Sequence, residues 1–269
     1  MARIKSVSDI DIMVKDQRRA RTFYTEKLGM RVRSEDAKFG YLNLGATKGG
    51  ADAGLSLWQP SPQWPSAMYE EGMKQIGVVT GIGFRTSDLA RTAEALRKRR
   101  VKVEKDSETF ARIWDADGNV LFLQQQRRPK ARRAGLQTLE FVTVVSRDAE
   151  RSGAFFRALG FKAKKIPGEE GAEGESFSVF QLSREGTSIM PFTPERAMYE
   201  DPSDYDADMA HIGENTGISI LVDGIYDLQE RLLSEGIRFQ EKAEKQPWGA
   251  IAARVLDPDD NTYRLVEPL

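Results

Sequence analysis

The stretch WDADGNVLFLQQQ, Trp114 to Gln126, and its near-copy LDPDDNTYRLVEP, Leu256 to Pro268, decide the fold. Each is an Asp-rich turn that runs into alternating apolar residues, the pattern of a strand with one buried face. Each closes one half of an internal repeat of roughly 135 residues, and a repeat fixes domain count better than length does.

The segments before each turn match as well. DIDIMVKDQRRARTFYTEKLGM reads as a strand, a helix capped by Asp16 and a stop at Gly29. LEFVTVVSRDAERSGAFFRALGF repeats the plan with Asp148 as cap and Gly160 as stop. In both, an aromatic pair (Phe23-Tyr24, Phe155-Phe156) lies seven and eight residues past the cap, although its distance to Leu-Gly differs by one residue. Such pairs pack a helix onto a sheet. Strand-like segments follow: FGYLNLG and GLSLWQP in the first half, SFSVFQL and TSIMPF in the second. A further strand–helix pair comes next, GIGFRTSDLARTAEALRKRRVKV or GISILVDGIYDLQERLLSEGIRF. Each half therefore reads as two βαβββ units in an α+β fold. The expected modules are 1–128 and 137–269, joined by a basic linker at 129–136 whose charges lack the interleaved aromatics of a nucleic-acid surface.

Composition narrows the chemistry. With 40% apolar and 30% charged residues the sequence is that of an ordinary globular protein, and a net charge of −1 gives no general attraction to nucleic acid or anionic membranes. There is no cysteine, which removes disulfides, thiolate nucleophiles and zinc–sulfur sites. The sequence begins without the apolar core of a secretory signal, and no apolar run is long enough to span a bilayer, so a cytoplasmic location is expected. His211 is the single histidine, so this chain cannot supply a two-His-one-carboxylate iron centre.

The order of elements, with FYTEKLG after the first strand and DADGN or DPDDN before the last, resembles the vicinal oxygen chelate superfamily. That group includes glyoxalase I, bleomycin-resistance proteins, fosfomycin-resistance enzymes and type I extradiol dioxygenases. The resemblance covers essentially the whole chain as two tandem modules. It implies that each module's paired βαβββ units form an open barrel-like cleft. In catalytic members such clefts hold a divalent metal through His, Gln or Glu. The first-strand ligand position is Asp9 in one module and Phe141 in the other. The fifth-strand positions are Gly81 and Gly217, and the last-strand positions are Phe122 and Arg264. No fourth-strand Glu is present. On this carry-over the clefts hold no metal and no cofactor, as in the bleomycin-resistance branch, which sequesters a drug without one.

Strand alternation then gives the cleft faces. Asp9, Asp11 and Met13 share one, with Gly81, Gly83 and Arg85, and with Val120, Phe122 and Gln124; Trp58 and Trp114 stand at strand ends. Asp9 and Asp11 either bind a cationic or hydroxyl-bearing ligand or are neutralised by Arg85. The second module presents Phe141, Ser219 and Arg264. Arg264 either clamps an anion or pairs with Glu140, Glu267 or another acid. Trp248 either stacks on a ligand or packs. His211 lies in a polar stretch expected as a loop and lid, and GEEGAEGE (168–175) is expected as a loop. These readings favour a small-molecule binder of an amphipathic, antibiotic-like compound, without nucleic-acid or membrane partners, as monomer or homodimer. The alternatives are a divalent-metal lyase, isomerase or dioxygenase using Asp9, Asp11 and the His211 stretch, and a scaffold with vestigial clefts.

Overall fold

The computed structural model describes residues 2–167 and 176–269, so GEEGAEGE lies outside the described residues. Alternation and capping build four successive βαβββ units. The first comprises β1 (Arg3–Met13), α1 (Gln17–Thr22), β2 (Arg31–Asp36), β3 (Tyr41–Gly45) and β4 (Gly54–Trp58). After α2 (Ser66–Lys74) come β5 (Val79–Thr86), α3 (Leu89–Lys98), β6 (Lys102–Lys105), β7 (Phe110–Trp114) and β8 (Val120–Gln125). The third comprises β9 (Thr138–Val145), α4 (Ala149–Ala158), β10 (Lys162–Pro167), β11 (Ser176–Gln181) and β12 (Ser188–Phe192). After α5 (Pro202–Ala210) the last comprises β13 (Asn215–Asp223), α6 (Ile225–Ser234), β14 (Arg238–Gln246), β15 (Ala250–Leu256) and β16 (Thr262–Pro268). Among the described residues no helix is long and apolar enough to cross a membrane.

The chain divides into two compact units, Asp9–Val142 and Met1–Ser8 with Thr143–Leu269. The divisions fall inside β1 and β9. Within Asp9–Val142 the strand orders are β1-β4-β3-β2 and β9-β5-β8-β7-β6. Its two βαβββ units thus lie in different sheets, and neither sheet closes into a barrel. In the other unit the orders are β14-β15-β16-β13-β1 and β10-β11-β12-β9.

Local chemistry explains the helix starts. Asp16, Asp88 and Asp148 each accept a backbone N–H from the first turn of the helix that follows. Before α6 the capping place is taken by Gly224 in a left-handed conformation, φ 66°. The carboxylate of Glu267 replaces the missing cap by accepting from Gly224 N at 2.6 Å and Ile225 N at 3.0 Å. The one-residue difference between the halves is absorbed after α1, where Phe23–Lys27 winds as a π-helical turn. An inserted residue widens one turn and leaves both ends of the helix in place.

The Asp turns are backbone clamps. Asp115 Oδ1 accepts from Asp117 N and Asn119 N, while Asn119 Nδ2 donates to Asp115 Oδ2 and to Met13 O. In the other unit Asp257 and Asn261 repeat this, with Val145 O in the place of Met13 O. Each buried carboxylate also takes one phenol, but from different elements. Tyr24, after α1, donates to Asp115 at 2.9 Å, whereas Tyr263, on β16, donates to Asp257 at 3.1 Å. Burial pushes both phenols well above their ordinary pKa, so both remain donors. The clamps hold the turn at the end of β1 against the turn before β8, and so fix β1, which carries Asp9 and Asp11.

Candidate functional site

The face of β1-β4-β3 is built by small residues on its middle strand. Asp9 pairs with Gly54, Asp11 with Ser56 and Met13 with Trp58, while Asn43 pairs with Ser56 across β3–β4. A Cβ added to Gly54 would fall 2.1 Å from Asn43 Oδ1. The open space above Gly54 lets side chains from β3 cross β4 and reach β1. Asp9 Oδ1 accepts from Asn43 Nδ2 at 2.6 Å, from Tyr41 Oη at 2.9 Å and from Ser56 Oγ at 3.4 Å. Burial, followed by the charge of Asp9, raises the Tyr41 pKa and keeps the phenol a donor. Trp58 Nε1 donates to Asp11 Oδ1 at 2.9 Å, and its ring lies 5.8 Å from that of Tyr41, tilted by 53°. Asp9, Asp11, Met13, Tyr41 and Trp58 are half-buried; Asn43 and Ser56 are buried beneath them.

The second face of this unit, on β9-β5-β8-β7, has a different character. One cross-strand row runs Phe141, Gly83, Phe122 and Arg112; the next runs Thr138, Arg85, Gln124 and Phe110. A Cβ on Gly83 would fall 2.1 Å from Phe141 Cζ, so the Phe141 ring lies over that strand. Phe110 stacks on Phe122 at 5.3 Å and on Phe141 at 6.5 Å. The β5–β9 register steps past Glu140, and its carboxylate pairs with Arg85 Nη1 at 3.2 Å. Arg85 Nε is the one buried side-chain polar atom among the described residues without a hydrogen-bond partner.

The sequence placed these residues in one cleft and allowed Arg85 to neutralise Asp9 and Asp11. That is corrected: Arg85 lies in a different sheet from Asp9 and is paired to Glu140. The reason is topological, because the two βαβββ units of Asp9–Val142 do not share hydrogen bonds along one sheet. Glu267, considered as a partner for Arg264, is instead the cap of α6. His211, expected in a loop, instead ends helix α5 as its C-cap. Asp201 accepts from Ser203 N and Pro202 opens the first turn, a helix start that the sequence reading missed. His211 Nδ1 lies 3.0 Å from Glu214, and that bond raises its pKa.

The remaining candidates are dispersed. Trp114 ends β7 with the Lys102 ammonium 3.7 Å from its ring centroid. Ser219 on β13 stands opposite Arg264 on β16. Trp248 sits in the turn between β14 and β15 and is 42% exposed. The sequence reading missed Tyr41, Asn43, Ser56 and Phe110. The first three had a signal: polar residues alternating with Leu42, Leu44, Leu55 and Leu57 in the quoted strands.

At the positions where the resemblance implies a divalent metal, the donor set does not fit one. Asp9 Oδ1 is already taken by three donors, and the other carried-over positions are glycine, phenylalanine and arginine. Among the described residues no group of three or more His, Asp or Glu is close enough to hold an ion.

A sequence profile of the Glyoxalase/Bleomycin resistance protein/Dioxygenase superfamily matches residues 4–121 and, a second time, 138–265. The fold is similar to that of glyoxalase I from Zea mays, at 19% identity over 97% of this chain and 92% of that one, with a TM-score of 0.67. It is also similar to a putative dioxygenase from Bacillus subtilis, at 12% identity over 100% of this chain and 86% of that one, with a TM-score of 0.63. At these identities the likeness is one of fold. No curated protein matches the sequence.

Proposed function

The chain belongs to the Glyoxalase/Bleomycin resistance protein/Dioxygenase superfamily, and from that premise we propose that it is a metal-independent small-molecule-binding protein. It sequesters or carries an amphipathic, antibiotic-like compound. The reading involves neither nucleic acid nor a membrane, and it holds for a monomer or a homodimer.

One observation carries it. Asp9 is held by Tyr41, Asn43 and Ser56 in a fixed position on a half-exposed face, beside an indole that Asp11 holds in place. Polar groups positioned in advance next to aromatic surface orient a ligand at low entropic cost. The donors around Asp9 would be poorly used in a face that only packed, because leucines at those positions would bury more apolar area.

A saturation-transfer NMR screen of amphipathic aromatic compounds, antibiotics included, tests the proposal. Hits should weaken on Trp58→Ala, with cooperative unfolding retained. Hits indifferent to that substitution, or no hits at all, would sink it.

A further inference from the structure

We infer that the Asp9 face selects an organic cation, a compound carrying a tertiary or quaternary ammonium group. The inference rests on the preceding reading that this face binds small molecules, and it adds the chemical class.

Among the described residues Asp9 forms no ion pair, and its partners are three neutral donors that all address Oδ1. Neutral donors hold an ionised carboxylate in place without cancelling its charge. The second oxygen, Oδ2, has no hydrogen-bond partner among the described residues. It is not buried either, since Arg85 Nε is the one buried atom in that condition. Asp9 therefore presents a half-buried carboxylate, fixed in direction and paired with no cation among the described residues.

The aromatic groups favour the same class. Tyr41 stands on β3 and reaches over β4 to Asp9 on β1, so its ring spans the sheet rather than standing upright on it. The Trp58 ring meets it at 53°, giving two walls of a corner on the same face as the carboxylate. Ring faces attract cations and repel anions. An alkylated ammonium suits such a corner better than a bare one, because it sheds water at lower cost and its methyl groups fill the space between rings.

Choline and 3,3-dimethylbutan-1-ol separate charge from shape, because they differ by one nitrogen for one carbon. Both are titrated into the intact protein by NMR and calorimetry. Choline should saturate with a Kd at least about tenfold below that of the alcohol, a difference of about 1.4 kcal/mol. Asp9→Asn keeps an acceptor for the three donors, and should remove that advantage while leaving the alcohol unchanged. Thermal unfolding of the variant checks that the face survives. Equal affinity for the two probes, an unaltered choline affinity in Asp9→Asn, or no saturable choline binding overturns the cation assignment. If aromatic hits still bind in a Trp58-dependent way when choline does not, the small-molecule reading stands and only the ligand class falls.

Discussion

Gly54 and Gly83 sit on strands flanked on both sides, in two sheets of the same unit, and the molecule uses the space above them in opposite ways. Above Gly54 the amide of Asn43 crosses to Asp9. Above Gly83 the ring of Phe141 lies down and stacks with Phe110. The backbone device is the same: a strand glycine admits a neighbour's side chain across the sheet. The crossing residue decides the outcome. An amide leaves a carboxylate anchored at the surface, while a phenyl ring turns the face into packed aromatic surface. Sheet architecture alone therefore does not say whether a face recognises or packs.

The largest effect should come from filling the space above Gly83. Gly83→Ala drives a Cβ into the Phe141 ring, which lies over the strand and stacks on Phe110, itself stacked on Phe122, so little can give. Overpacking of this kind costs about 1–3 kcal/mol, and loss of Phe stacking adds to it. Chemical denaturation should show the loss in full in the parent. It should be much smaller in a Phe141→Ala background, where the ring is gone. A Gly83→Ala cost that is the same in both backgrounds would mean that Phe141 is not what the glycine accommodates.

Gly54→Ala should destabilise less and matter more for binding. The atoms in its way belong to the end of the Asn43 side chain, which can swing aside. The expected loss is about 1–2 kcal/mol, for one displaced hydrogen bond to a charged group. Asn43 would then release Asp9 Oδ1, and affinity for a compound bound at Asp9 should fall severalfold. Binding unchanged in Gly54→Ala would place the ligand elsewhere and break the contrast between the two faces.

Much of this fold was legible in the sequence because repeated local signals agreed. Asp16 and Asp148 cap helices as expected, and the strand alternation put Asp9, Asp11 and Met13 on one face, in keeping with the burial of Ile10, Ile12 and Val14 between and after them. What was not legible depends on which strands become neighbours. Arg85 and Asp9 look alike in alternation, and only the strand order separates them. The Tyr24 and Tyr263 phenols illustrate the same limit. A conformational job shared by the two halves is done from a helix end in one and from a strand in the other. Matching the halves position by position pairs Tyr24 with Phe156 and Tyr263 with Leu121, so the hydroxyl has changed places while the buried carboxylate has kept one donor. The π-turn at Phe23–Lys27 was visible only as a spacing fault, because a single extra residue has several structural solutions.

The smallest expected effect sharpens the comparison from the other side. Arg85 and Glu140 are 25% and 35% exposed in their side chains, and Arg85 Nε has no partner among the described residues. A partly screened pair contributes little, and an unpartnered buried donor carries a penalty that an apolar side chain would remove. The double substitution Arg85→Met with Glu140→Leu should therefore change stability by less than about 1 kcal/mol, in either direction. Asp9→Leu poses the opposite problem on the other face. It leaves the donors of Tyr41, Asn43 and Ser56 to find new partners, and should cost about 1–3 kcal/mol. Equilibrium denaturation of the two variants side by side reads the contrast directly. If the Arg85–Glu140 replacement proves the more damaging, the aromatic face depends on its ion pair for order, and the division into a recognition face and a packing face fails.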